Sequence, residues 1–130
     1  MAVGEQYRLA QRYDTAYIDY AHTWRFLVEE VKNDDIVPVN LSAYDNVQLQ
    51  IYLDEDQPAL IIDAAATVLT ASEDLEVGVP ARCEVTWLAA TGSGFTEVEY
   101  RAKLVGIASA VPTILGKPWL FRAFKGGPQS

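Results

Sequence analysis

Apolar and polar residues alternate with a period of two in many short runs between residues 23 and 124. The alternation is clearest in residues 47–53 and 97–104, where every second side chain is apolar. Similar runs cover residues 23–29, 36–39, 59–71, 75–79, 83–87 and 119–123. A period of two is typical of half-buried β-strands, whereas a helix repeats every 3.6 residues. The pattern predicts an all-β protein with seven or eight short strands, arranged as an antiparallel sandwich or barrel.

The N-terminal segment, residues 1–21, has a different pattern. Apolar and aromatic residues recur at helical spacing within residues 5–20, which predicts a short helix. The segment is also rich in tyrosine, with Tyr7, Tyr13, Tyr17 and Tyr20. Tyrosine offers a large contact area with a polar tip and is enriched at protein interfaces. We therefore expect either a helix that packs on its own domain or an arm that lies on a neighbouring subunit.

The 130 residues fit a single domain, since domains most often have about 100–150 residues. Half of them are hydrophobic, so the chain can build a core without a metal or a disulfide. We expect the sandwich to span residues 22–125, after the arm or helix of residues 1–21 and before a flexible tail at 126–130. No run reaches the roughly 20 apolar residues of a membrane span, and no secretory signal is apparent.

Charge is distributed unevenly along the chain, whose net charge is -8. Residues 29–76 hold twelve acids and one base, whereas residues 101–130 hold five bases and no acid. This division indicates surfaces of opposite sign through which copies or neighbours meet. Neighbouring strands with differently charged solvent faces would produce the same pattern. The overall acidity argues against nucleic acid as a partner.

Candidate chemistry is sparse. His22 is the only histidine and Cys83 the only cysteine, so neither a disulfide within the chain nor a site built on several His or Cys ligands can form. Cys83 lies on the apolar side of an alternating strand, which indicates a core thiol. The acidic runs at Asp34-Asp35 and Asp54-Glu55-Asp56 do not have the spacing of a calcium-binding loop. We expect no enzyme activity, no cofactor and no metal.

Two stretches resemble the N-terminal domain of tailed-phage baseplate upper proteins. Thr23-Trp24-Arg25-Phe26-Leu27-Val28, followed by Pro38-Val39-Asn40-Leu41-Ser42, is similar to the opening of that domain, and residues 47–53 occupy its next strand. Residues 97–104 and 119–124 resemble two of its later strands, and residues 110–113 stand near a proline that precedes the last strand. The chain departs from the family pattern at His22, Asn40 and Ala43, and no glycine precedes Tyr100 at the family's usual position.

The resemblance, which covers about residues 22–125, implies an immunoglobulin-like β-sandwich. It also implies a non-enzymatic virion structural protein, assembled in the host cytoplasm, that binds other phage subunits. A capsid decoration protein and a baseplate, tail or neck adaptor both fit, and a homo-oligomer is expected, with no nucleic-acid or membrane partner. The interface candidates are Tyr7, Tyr13, Tyr17, Tyr20, Arg122 and Lys125. The alternative is a carbohydrate- or receptor-binding module, in which Tyr44, Tyr52 or Trp119 would stack on sugars.

Overall fold

The computed structural model describes residues 7–54, 57–69 and 80–125. Within these ranges there are eleven strands and two short 3-10 turns, Leu41–Ala43 and Thr91–Ser93. The strands are β1 (Tyr7–Leu9), β2 (Thr15–Tyr17), β3 (Ala21–Lys32), β4 (Asp35–Pro38), β5 (Asn46–Asp54), β6 (Gln57–Ala65), β7 (Thr67–Val68), β8 (Arg82–Leu88), β9 (Glu99–Ala108), β10 (Val111–Ile114) and β11 (Trp119–Phe124). The predicted strand at residues 75–79 and the predicted tail at 126–130 lie outside the described residues.

The strands form two sheets. The first has the order β1-β3-β8-β7, with β4 also paired to β3, and the second has the order β2-β11-β9-β5-β6, with β10 also paired to β9. Among the described strand pairs, only β2 and β11 run parallel. In the seven-strand immunoglobulin-like sandwich, the first, second, fifth and fourth strands form one sheet and the third, sixth and seventh form the other. When β2, β4, β6 and β10 are left aside, β1-β3-β8-β7 corresponds to the first of these sheets and β5-β9-β11 to the second.

Most apolar residues of the alternating runs face inward and fill the space between the sheets, whereas Leu53, Val98 and the residues of β4 are exposed. Trp24 of the first sheet meets Phe121 of the second, with ring centroids 5.5 Å apart. Trp24 also packs edge-to-face on Trp87 at 4.9 Å. The buried set further includes Phe26, Val28, Leu49, Ile51, Cys83, Val85, Tyr100, Ala102, Leu104, Trp119 and Ala123. These residues confirm the all-β sandwich and the prediction of Cys83 as a core thiol.

Tyr100 fixes the corner at which the chain enters β9. Its buried hydroxyl accepts a hydrogen bond from the backbone N–H of Thr96 at 2.8 Å. The same oxygen lies 3.3 Å from the carbonyl oxygen of Thr96 and 3.4 Å from that of Gly94. A tyrosine at the start of this strand, bonded to the backbone a few residues upstream, is a hallmark of immunoglobulin-like domains.

The short helix predicted in residues 5–20 is wrong for the described part of that segment. Residues 7–9 form β1 on β3, and residues 15–17 form β2 on β11. Helical spacing alone is a weak signal, and hydrogen bonding to two existing sheets outweighs it. Ala16 and Ile18 are buried in the core that both sheets share. The described strands include β1, β2 and β10, which were not expected, and the run predicted at residues 59–71 divides into β6 and β7.

Two β-hairpins end in tight turns without glycine. Asn33 and Asp34 join β3 to β4 with φ values of 49° and 69°, and Ser109 and Ala110 join β9 to β10 with 51° and 65°. Positive φ at both central residues is the type I′ geometry, which matches the twist of a hairpin. Asp45 supports the second turn, since its carboxylate accepts the backbone N–H of Ser109 at 2.9 Å.

A proline occupies the same kind of position in each hairpin's second strand. In an antiparallel pair, successive N–H groups point alternately toward and away from the neighbouring strand. The N–H of Val39 donates to the carbonyl of Val28, so the nitrogen of Pro38, one residue earlier, points away from β3. In the second hairpin, the N–H of Leu115 donates to the carbonyl of Leu104. Pro112 lies three residues before Leu115, so the same alternation points its nitrogen away from β9. Because proline cannot donate, each strand offers one fewer hydrogen bond to an additional strand.

Replacing both prolines by threonine should make the protein associate through these strand edges. Pro38→Thr with Pro112→Thr restores an outward N–H on each strand, so we expect aggregation to become roughly several-fold faster. Light scattering during incubation below the melting temperature measures the rate. The matched control is Val37→Thr with Val111→Thr, because both of those N–H groups already bond inward. An equal rate for the two double variants would contradict the role assigned to the prolines.

Candidate functional site

Tyr7, one of the expected interface residues, links the two hairpins within the domain. It lies opposite Glu30 in the β1–β3 pairing and close to Tyr44. The ring of Tyr44 covers Gly106 of β9, where an added Cβ would lie 2.8 Å from a ring carbon. Burial, followed by the interaction with Tyr7, raises the pKa of Tyr44 to about 12. Both hairpins therefore project from the same end of the sandwich, which we call the hairpin end.

Tyr13 anchors the N-terminal segment to the core. Its ring stacks on Trp24 with centroids 5.0 Å apart and planes within 2° of parallel. Its hydroxyl accepts the backbone N–H of Arg25 at 3.0 Å, and its carbonyl accepts the indole N–H of Trp119 at 2.8 Å. These contacts give Tyr13 a structural role inside its own domain.

Tyr17 and Tyr20 lie near the opposite end of the sandwich from the hairpins. The backbone N–H of Tyr17 donates to Nε2 of His22 at 2.9 Å, and its ring lies 6.4 Å from that of Phe124. Because a backbone N–H can only donate, Nε2 must be unprotonated and the neutral ring carries its proton on Nδ1. Burial lowers the pKa of His22, and the Tyr20 backbone opposes this shift more weakly. Tyr20 itself is exposed.

The pH dependence of stability should report on the bond between Tyr17 and His22. A histidine whose pKa is lowered by folding binds its proton more readily in the unfolded chain, so stability is complete above the ordinary value of 6.5 and falls as the pH drops below it. Chemical denaturation between about pH 7.5 and about pH 5.5 measures the slope. Asp19, whose pKa is lowered from 3.8 chiefly by the backbone N–H of Thr91, adds to the loss only at more acidic pH.

His22→Gln is the matched variant for this measurement, since the amide oxygen can still accept the Tyr17 N–H but does not titrate. We expect the variant to lose most of the slope that wild type shows in this range. Equal slopes for the two proteins would show that His22 does not carry the pH dependence.

Arg122 and Lys125, the remaining interface candidates, lie at the solvent-exposed end of β11. The guanidinium of Arg122 is 5.9 Å from the centroid of Phe124, and its Nη2 donates to the Glu97 carbonyl at 3.2 Å. The backbone N–H of Lys125 donates to the Glu97 carboxylate at 3.1 Å. Of the six candidates, Tyr17 and Arg122 both lie beside Phe124, whereas Tyr7 and Tyr13 pack against the core.

A groove of about 410 Å³ lies on the outer side of the second sheet. Leu53, Ile61, Val98 and Leu120 provide its apolar lining, and Gly94, Thr96, Glu99, Tyr100 and Arg101 complete it. Leu53, Val98 and Leu120 are exposed. This groove was not expected from the sequence, because its walls come from four separate stretches of the chain. The one available signal was the run Trp119-Leu120-Phe121, which is apolar on both sides of a strand.

Some of the acidic side chains form ion pairs with basic side chains of the same domain. Arg8 pairs with Glu29 at 3.0 Å, Arg25 with Glu84 at 2.6 Å and Lys32 with Glu30 at 3.7 Å. In the second sheet, Gln50 lies between Lys103 of β9 and Asp63 of β6. Neighbouring strands with different solvent faces thus account for some of the pattern. The bases on β9 and β11 and the aspartates of the β3–β4 turn remain on separate surfaces.

The other chemical candidates lie apart from these surfaces. Burial raises the pKa of Cys83 to about 12. Cys83 pairs with Phe26 in the sheet and His22 pairs with Trp87, so the thiol and the imidazole occupy different positions along β3 and β8. In residues 7–54, 57–69 and 80–125, no three His, Cys, Asp or Glu side chains gather in a way that could hold a metal. No helix in that part of the chain has the length and apolar character to cross a membrane.

The fold and the exposed apolar residues define an immunoglobulin-like β-sandwich domain with two separate candidate surfaces for protein contacts. These are the hairpin end and the groove of the second sheet. Comparison with protein-family models gives no match for the chain, and a search of curated proteins gives none either.

Proposed function

We propose that this protein is a non-enzymatic structural module that joins protein subunits in a tailed-phage virion. The observation that carries the proposal is the distribution of exposed apolar side chains. Val31, Ile36, Val111 and Ile114 lie on the two hairpins, and Leu53, Val98 and Leu120 surround the groove. Apolar residues gathered at defined places on a surface favour contact with another protein.

The rigidity of the support adds to this proposal. The hairpins share one end of the sandwich through Tyr7 and Tyr44, and the groove lies on a sheet whose other side is core. Proline on both hairpin edges favours contact through side chains over the addition of further strands. Such a scaffold suits a specific, defined contact between subunits.

The virion setting rests on the resemblance to baseplate upper proteins. Residues 23–28 lie in β3, 47–53 in β5 and 119–124 in β11, which is compatible with the all-β fold that the resemblance implies. A decoration protein and a baseplate, tail or neck adaptor would both use two contact surfaces, one for each neighbour.

The carbohydrate-binding alternative loses its original basis. Tyr52 and Trp119, two of its three candidate stacking residues, are buried, and Tyr44 packs on Gly106. Sugar stacking needs an accessible aromatic face. Tyr20 and Phe124 are exposed, but each lies beside the β2–β11 pairing rather than in the groove.

Cross-linking mass spectrometry on purified phage particles tests the proposal. We expect peptides of this protein in the particles, with cross-links from Lys32 or Lys125 to other structural proteins. Both lysines are exposed and lie toward opposite ends of the domain. Absence of the protein from washed particles would overturn the virion assignment. Binding to a glycan array that Tyr20→Ala or Phe124→Ala abolishes would favour the alternative.

A further inference from the structure

The β3–β4 hairpin presents an apolar pair among mostly acidic residues. Its one base, Lys32, lies opposite Asp35 and pairs with Glu30 within the hairpin. Val31 and Ile36 lie directly opposite each other, at a position where the strands do not exchange hydrogen bonds and side chains approach closely. They are 43% and 49% exposed. Asp34 and Asp35 stand beside them at the turn. A surface that fits this hairpin has an apolar centre and basic residues around it.

The groove of the second sheet has those properties. Leu120, 44% exposed, forms one wall and lies opposite Arg101 in the β9–β11 pairing. Arg122 is the next outward residue along β11, and Lys103 the next along β9. Glu99 is the acid of the lining. On β9 and β11 the outward-facing charges are thus three bases and one acid.

Charge decides which two surfaces can meet. Contact between two hairpin ends would bring Asp34 and Asp35 against the same residues of the other copy. Contact between two grooves would bring Arg101, Arg122 and Lys103 together. Like charges at an interface cost free energy, whereas hairpin against groove pairs acids with bases and places apolar side chains in an apolar groove.

We propose that the β3–β4 hairpin of one copy docks in the groove of a second copy, with Val31 and Ile36 on Leu120 and the aspartates toward Arg101 and Arg122. The inference rests on the proposed function, since it names one partner for its two surfaces. The groove borders the start of β9, whereas Gly106 near the end of β9 marks the hairpin end. The contact therefore joins opposite ends of neighbouring copies, and it repeats as a ring or a filament.

Sedimentation velocity of two point variants, alone and mixed, tests the docking. Ile36→Arg places a base on the hairpin, and Leu120→Glu places an acid in the groove. Each variant should associate at least about tenfold more weakly than wild type. Mixed in equal amounts, they should form a one-to-one dimer, because the intact hairpin of Leu120→Glu meets the intact groove of Ile36→Arg.

A matched control separates this contact from general surface effects. Leu88→Glu changes an exposed residue of the first sheet that belongs to neither surface. It should associate like wild type. Strong association by either docking variant alone would indicate a contact between like surfaces and overturn the proposal, as would a mixture that stays monomeric.

Failure of the self-docking proposal can be distinguished from failure of the proposed structural role in the virion. A wild-type chain that stays monomeric in solution yet cross-links to other proteins in particles would overturn self-docking and retain the structural role. A chain that self-associates as described but is absent from particles would retain the docking and overturn the virion assignment.

Discussion

Replacing Trp24 by alanine should lower the free energy of unfolding by about 3–5 kcal/mol. The indole is buried between the sheets, where it stacks on Tyr13 and packs on Trp87 and Phe121. Its removal leaves a cavity bordered by rings from both sheets and from the N-terminal segment. Those large rings cannot move together to fill it, so both transfer and cavity costs apply.

Equilibrium denaturation by urea, followed by far-ultraviolet circular dichroism, measures the loss. The control is Leu88→Ala, which truncates an exposed residue of the first sheet and should change stability by no more than about 0.5 kcal/mol. A loss below about 1 kcal/mol for Trp24→Ala would contradict the central position given to this side chain.

Removing the Tyr100 hydroxyl should have the second largest effect. Tyr100→Phe keeps the buried ring, which packs on Phe95 at 4.9 Å and on Phe121 at 5.7 Å. It leaves the backbone N–H of Thr96 without its acceptor. Loss of one partner of a buried hydrogen bond costs about 1–3 kcal/mol, so we expect a decrease in that range.

The same denaturation experiment applies, with Tyr20→Phe as the control, because the Tyr20 side chain is exposed. Wild-type stability for Tyr100→Phe would show that the corner does not depend on this bond. Because the substitution leaves the apolar packing intact, the variant should remain folded and its melting curve interpretable.

The strands with the clearest alternation could be predicted because one face of each is buried. β5 and β9 lie in the middle of the second sheet, so their inward residues are all apolar and their outward residues mostly polar. The helix prediction for the N-terminal segment is wrong because the aromatic residues of this segment contact different neighbours. Tyr13 contacts Trp24 across the core, whereas Tyr17 contacts His22 and Phe124. The regular spacing of these residues in the sequence does not show that they contact different neighbours in the fold.

The candidate surfaces were predictable only in part. Pro38 lies on the edge strand β4, where its missing donor costs no hydrogen bond to β3. Arg122 is exposed as an interface residue should be, but Tyr7 and Tyr13 support the interior. The groove joins Leu53 to Leu120 and depends on pairings between strands far apart in the sequence. Periodicity carries no information about such pairings.

The parallel pairing of β2 with β11 has a kinetic consequence. The carbonyl of Tyr13 accepts its hydrogen bond from Trp119, 106 residues further along the chain. Contacts between such distant residues make folding slow, because a large loop must close before they form. During synthesis, β2 must wait for β11 to leave the ribosome before it can pair. Until then Trp24 lacks its contacts with Trp119 and Phe121, so the growing chain exposes this apolar surface until β11 is made.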